Sequence, residues 1–298
     1  MHEVRINNRM VQIPSTWDEL TRHQLELVAG LSCTGNPEMT IKSYLLFYIA
    51  GIRLKKTFSQ ANPANRREQL YQATLKDGGT AYLSSDQVTE LANLFNFLFL
   101  IHLAEDGTRT VKIDSRLTVN LIPHFKVSGT CYWGPADKLF NVTLSEFIHA
   151  ETNLSRYNRT RDINHLNTLI AILYRPQKNP LQRSSSNYDG DRRVTFNDHK
   201  FDKRAIKFRK LRHNIKIGIF LFYQGCQWWY QQKFPHVFNQ KSKKAGNDLG
   251  FLNLVDALTA GDVTKTKAVY STSLMEVMVH LERAAIDYEE MEQKLNKK

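Results

Sequence analysis

Glu146, His149 and Glu151 lie within six positions of one another, and carboxylates beside an imidazole are the residue types that supply a general acid and a general base. The segment reads as a helix beginning after Thr143, and residues five apart on a helix do not face each other. Glu146 instead fits the acid of a capping box opened by Thr143. Ten histidines are scattered singly, whereas a metal site needs ligands that converge. Cys33, Cys131 and Cys226 have no second cysteine at ligand or redox spacing, so three buried thiols in a reducing compartment are expected. The patterns GxxxxGK(S/T), GxGxxG, HExxH and GxSxG and the EF-hand loop are missing from the sequence. No catalytic residue, cofactor or metal is therefore expected, and the chain reads as non-enzymatic.

The residues that can bind rather than react are concentrated. Of a net charge of +12 over 298 residues, nine charges fall between Arg175 and Lys216, where thirteen Lys/Arg face four Asp. Within that stretch Lys203, Arg204, Lys207 and Lys210 make one basic face on a helix. Phosphates of a nucleic acid would suit that face, and so would an acidic protein surface. Just beyond it Trp228, Trp229 and Tyr230 head an aromatic run ending at Phe238. Such rings can stack on bases, but consecutive aromatics on a helix point in different directions, which favours a core that continues into a protein interface. The segment Glu276–Glu292 is acidic on balance, so self-association is a further expectation.

These faces need helices to carry them. Val4–Ile13 alternates apolar and polar residues around Asn7-Asn8, the pattern of a β-hairpin. Thr21 caps a helix carrying Leu25, Val28 and Leu31. A buried helix is predicted over Thr40–Ile52 with Ile41, Tyr44, Leu45, Tyr48 and Ile49 inward. Lys55–Gly79 is assigned to a loop or a short exposed helix. Ser85 caps a helix through Ala104, and Phe95 lies in its core stripe. A second small β element is expected within Thr110–Val127, followed by a loop from Tyr132 to Asp137. Helices over Thr143–Tyr157 and Ile163–Tyr174 place Phe147 and Leu169 in the core. One long helix runs from near Asp198 to Pro235, Lys241–Gly246 forms a loop, and Leu249–Leu258 and Ser273–Lys294 supply the final helices. The fold expected is mainly α, a multi-helix globular protein with a small N-terminal hairpin. A helical domain is predicted at 1–176, a mobile basic insertion at 177–198, where apolar periodicity is lost, and a C-terminal helical region at 199–298. The longest apolar runs, Phe95–Ala104 and Ile215–Tyr223, are too short to cross a bilayer, and no signal-like segment opens the sequence.

The stretch Tyr132-Trp-Gly-Pro-Ala-Asp137, with Leu144-Ser-Glu-Phe147 and Leu173-Tyr-Arg-Pro176, resembles uncharacterised proteins of tail and virion gene clusters in phages and prophages of Bacteroidota. The opening from Ile6 to Thr21 is similar to the start of tail assembly chaperones, where a short hairpin leads into a helix. The resemblance covers about half the chain in separated blocks, and the chain is longer and more basic than those chaperones. It implies a protein that assembles a phage particle, as a chaperone or a minor virion component. Its partners would be phage tail or virion proteins, in the host bacterial cytoplasm or in the virion. The alternative from another class is a nucleic-acid-binding protein using the region 175–216.

Overall fold

The computed structural model describes residues 1–6, 9–52, 54–57, 70–74, 79–104, 106–238, 258–259 and 261–296. The fold is mainly α, with small antiparallel sheets. The chain divides into two compact units, Met1–Leu117 with His213–Leu221, and Thr118–Arg212 with Phe222–Lys298. Their limits do not follow the expected lines at 176 and 198, because each unit is completed by a distant part of one long helix.

In the first unit, β1 (His2–Ile6) pairs antiparallel with β2 (Arg9–Ile13), the hairpin that the alternation predicts; its turn at Asn7-Asn8 lies outside the described residues. Ile6, Val11 and Ile13 are buried. Thr21 closes a capping box with Gln24 at the start of α1 (Arg22–Cys33), which satisfies amide donors that the first turn leaves without partners. In α2 (Glu38–Ala50) Ile41 and Leu45 are buried as expected, but Tyr44 and Tyr48 are each 52% exposed. The helix is apolar almost all round, so period alone does not fix its inward face; Leu46, Phe47 and the buried Lys42 take that face instead. Lys42 is held by Glu38 and by Asn96 Oδ1, 2.6 Å away. Described parts of the segment expected to be a loop form β3 (Leu54–Thr57) and β4 (Leu70–Thr74), which join β5 (Thr80–Ser84) in a three-stranded sheet.

The helix expected to run to Ala104 ends early. α3 covers Ser85–Ala92, capped by Ser84 rather than Ser85. It tightens into a 3-10 segment at Asn93–Leu98 and then becomes β6 (Phe99–Leu103), paired with β7 (Arg109–Ile113). The buried residues Ala92, Phe95 and Leu98 recur every third position, the repeat of a 3-10 helix.

The second unit begins with β8 (His124–Val127) and β9 (Thr130–Trp133), joined by Ser128-Gly129 at φ 48° and 79°, so that Tyr132 and Trp133 belong to a strand rather than a loop. α4 (Leu144–Thr160) is capped by Thr143, whose hydroxyl accepts from the Glu146 amide, and turns through Arg161 and Asp162 into α5 (Ile163–Leu173). Phe147, Ala150 and Leu154 pack with Leu166, Leu169 and Ile170 in this helical hairpin. β10 (Arg175–Pro176) then adds to β9, followed by the single turn α6 (Pro180–Arg183).

The long helix expected from Asp198 to Pro235 is two helices, α7 (Phe201–Phe208) and α8 (His213–Lys233). The break from Arg209 to Arg212 falls where the chain leaves one unit for the other. Phe208 packs on Phe125 and Tyr132 at ring distances of 5.2 and 4.8 Å, whereas Ile215 and Ile219 are buried in the first unit. The cations Lys207 and Lys210, and Arg209 and Arg212, stand three positions apart and would repel each other on a continuous helix. The chain continues into α9 (Pro235–Phe238), α10 (Thr266–Ser271) and α11 (Leu274–Asn296). The expected loop Lys241–Gly246 and most of the helix expected at Leu249–Leu258 lie outside the described residues. No helix among the described residues is long and apolar enough to cross a membrane.

Candidate functional site

Of the residues singled out for binding, the structure exposes some and buries others. Ala205 and Phe208 turn inward on α7, which packs on α5. That rotation leaves Lys203, Lys207 and Lys210 exposed, and none of the three forms an ion pair with a described residue. Ile206 stands among them with 60% of its surface exposed. Arg204 departs from this face: it is half-buried, and its Nε donates to the Ala171 carbonyl at 3.0 Å. Burial, helped by the nearby charge of Arg175, pushes its guanidinium down to about 10.

The aromatic run divides in the same way. Tyr230 is 1% exposed and stacks on Phe234 at 5.8 Å, so it belongs to the core rather than to a binding surface. Trp229 is half-buried; it meets Phe140 edge-on at 5.8 Å, and Lys138 Nζ sits 5.2 Å from its ring centre. Trp228 is also half-buried. A buried Tyr230 and a Trp229 already engaged leave much less than the three-ring platform the sequence suggests.

The three residues first considered for acid–base chemistry go separate ways. Glu151 accepts from the Tyr223 hydroxyl at 2.6 Å and from Gln227 Nε2 at 2.7 and 2.8 Å, while burial pushes its carboxyl up to about 7. His149 lies 5.7 Å from Phe196 and 5.5 Å from Phe201 by ring centres, its imidazole pushed down by burial. Glu146 enters an ion cluster that sequence reasoning missed. Its Oε2 lies 2.8 Å from Arg175 Nη1 and 3.3 Å from Arg193 Nη1. Asp191 Oδ2 completes the set, 2.9 Å from Arg193 Nη2 and 3.5 Å from Arg175 Nη2. Arg175, Arg193 and Glu146 are all buried. Arg193 also donates to the carbonyls of Leu173 and Asn141 at 3.0 and 2.7 Å.

Electrostatics within the cluster are uneven. Burial opposes the charge on Arg193, but Glu146 and Asp191 outweigh it and raise the group above its ordinary value. Arg175 is lowered by burial and by the neighbouring Arg193, despite Glu146. Two cations and two carboxylates neutralise one another, and Arg193 spends further donors on backbone carbonyls, while Arg175 Nε is buried without a hydrogen-bond partner. That is the behaviour of a clamp: it ties α4, the end of α5 and Arg193 together, and Gln177 bridges to Arg193 beside it. The segment 177–198, expected to be mobile because apolar periodicity is lost there, is thus fastened by the charged pairs of Asp191 and Arg193.

A cleft of about 540 Å³ opens over the cluster, lined by Phe140, Thr143, Phe196, Lys267 and Tyr270 among others. Among the described residues no group of three or more His, Cys, Asp or Glu is disposed to hold a metal ion. Of the cysteines only Cys226 is fully buried; Cys131 is half-buried and Cys33 is exposed, which corrects the expectation of three buried thiols. No family model, curated protein or solved structure matches the chain.

Proposed function

We propose that this chain is a non-enzymatic assembly protein that holds a protein partner on the face of α7 centred on Ile206. The observation that carries the reading is the 60% exposure of that isoleucine beside the exposed Lys203, Lys207 and Lys210. Contacts to a nucleic-acid backbone are made by cations and polar groups, and an exposed isoleucine contributes nothing to them. A protein interface, by contrast, places an apolar side chain at its centre and charges at its rim. The lysines then steer encounter with an acidic partner more than they hold it. The burial of Tyr230 further weakens the case for base stacking along this part of the chain.

The sequence resemblance supplies the context: a tail-assembly chaperone or minor virion component that meets phage tail or virion proteins in the host bacterial cytoplasm or in the particle. Nucleic-acid binding through the 175–216 region is the second reading, favoured by the three lysines that no described acid neutralises. The test is recovery of bound macromolecules from cells producing the chain, with proteins and nucleic acids both identified, for the wild type and for Ile206→Asp. The expected result is a defined protein partner lost with Ile206→Asp. Nucleic acid recovered equally by both, with no protein partner, would overturn the reading.

A further inference from the structure

The cleft over the Glu146 cluster lies wholly within the second unit, and the lining drawn from 140–145 and 267–273 holds no acid. Lys267, Tyr270 and Ser271 share one side of α10, being three and four positions apart, and they line the cleft with Ser273, Thr143 and Ser145. The starts of α4 and α11 are held side by side here. The Leu144 amide donates to the Thr272 carbonyl at 2.9 Å, the Leu274 amide donates to the Val142 carbonyl at 2.8 Å, and Thr143 bridges to Ser273. Helices of seventeen and twenty-three residues thus bring the positive ends of their dipoles to one place. The Ser145 amide in the first turn of α4 has no acceptor among the described residues. Lys267 is exposed and pairs with no described acid.

The floor of the cleft independently asks for an acceptor. Arg175 lines it at 2% exposure, and its Nε is a buried donor with no partner, a state that costs free energy until an acceptor arrives. Arg204 stands close enough to Arg175 for the two charges to oppose each other, and its Nη2 is likewise buried without a partner. The three guanidiniums of Arg175, Arg193 and Arg204 outnumber the two carboxylates of Glu146 and Asp191, so the floor keeps one positive charge in excess. Its loosest ion pair is Arg175 to Asp191 at 3.5 Å, the contact that an incoming oxyanion replaces most easily. The other acids of the lining are Asp189, paired with Lys178 at 2.7 Å, and the exposed Asp198. Phe140 and Phe196 add apolar surface, and about 540 Å³ is room for a small organic molecule rather than a bare ion. We propose that this cleft binds a small organic anion, with its phosphate or carboxylate head at the paired starts of α4 and α11, between Lys267 and Arg175, and its body against Phe140 and Phe196.

Titration of the full chain with phenyl phosphate, benzoate and the uncharged benzyl alcohol tests this, followed by calorimetry and by amide NMR spectra. At least one of the two anions should bind saturably with a Kd of about 1 mM or below and shift the Ser145 and Ser273 amides, whereas benzyl alcohol should not. Whichever anion binds more tightly identifies the head group. Lys267 is exposed, so Lys267→Gln keeps the fold and should weaken the anion about two- to fivefold. Arg175→Lys, where it folds, should weaken it further. Lys203→Ala with Lys207→Ala should change nothing, because those lysines stand on α7 outside the cleft. Failure of both anions to bind, equal binding of benzyl alcohol, or anion binding that Lys267→Gln leaves unchanged would overturn the proposal. The cleft and the face of α7 are separate surfaces, so any of these failures leaves the protein-binding reading of α7 intact.

Discussion

Glu146 sits between two buried guanidiniums that would otherwise repel each other. Removing one partner of such a set leaves a buried charge uncompensated, which costs more than the intact set contributes. Glu146→Ala should therefore destabilise the second unit by about 3–5 kcal/mol, read as a lowered denaturation midpoint; an unchanged midpoint would mean that the cluster is solvated. Glu151 carries the opposite kind of prediction. Burial raises its folded value to about 7 from an ordinary 4.5, so between these values the folded chain keeps a proton that the unfolded chain has lost. Stability then falls as pH rises through that window. Relative to Glu151→Gln, the wild type should be level near pH 5 and weaker by on the order of 2–3 kcal/mol near pH 8. Denaturant titrations at the two pH values check this, and a constant difference would contradict it. Neither role was legible in the sequence. Capping by Thr143 is local and could be read from spacing, but the partners of Glu146 lie twenty-nine and forty-seven positions away, at Arg175 and Arg193.

At the scale of elements, what local chemistry decides was readable. The N-terminal hairpin, the caps at Thr21 and Thr143 and the stop at Arg175-Pro176 follow from alternation, hydroxyl spacing and proline. What tertiary packing decides was not: the buried side of the all-round apolar α2, the change from α3 to a 3-10 segment and strand, and the break between α7 and α8. The Gly134-Pro135-Ala136-Asp137 loop sits between these cases, because its turn residues are visible while the reason for its glycine is not. A Cβ on Gly134 would meet the Tyr174 ring at 2.5 Å and Asn120 Nδ2 at 2.7 Å. Tyr174 itself donates to the Ile122 carbonyl at 2.8 Å, and Asn120 donates to the Pro135 carbonyl at 2.7 Å. The Gly134 loop and the end of α5 at Tyr174 are therefore packed on each other. Gly134→Ala must displace a buried, hydrogen-bonded ring and should cost about 1–3 kcal/mol. A melting temperature equal to that of the wild type would show that the loop gives way freely.

Across the whole molecule, charge is what the sequence located best and geometry refined most. The basic stretch was legible as a count. Its use was not, because only the fold turns Arg204 half inward, sinks Tyr230 and leaves Ile206 standing among three lysines. If this face meets protein, binding of the chain to a random-sequence duplex and single strand as a function of salt tests it most directly. Weak binding at physiological ionic strength is predicted, changed little when Lys203, Lys207 and Lys210 are replaced by Ala. Tight binding that falls steeply with salt, with the slope flattened by about 0.7–0.9 for each lysine removed and the fold retained, would contradict it.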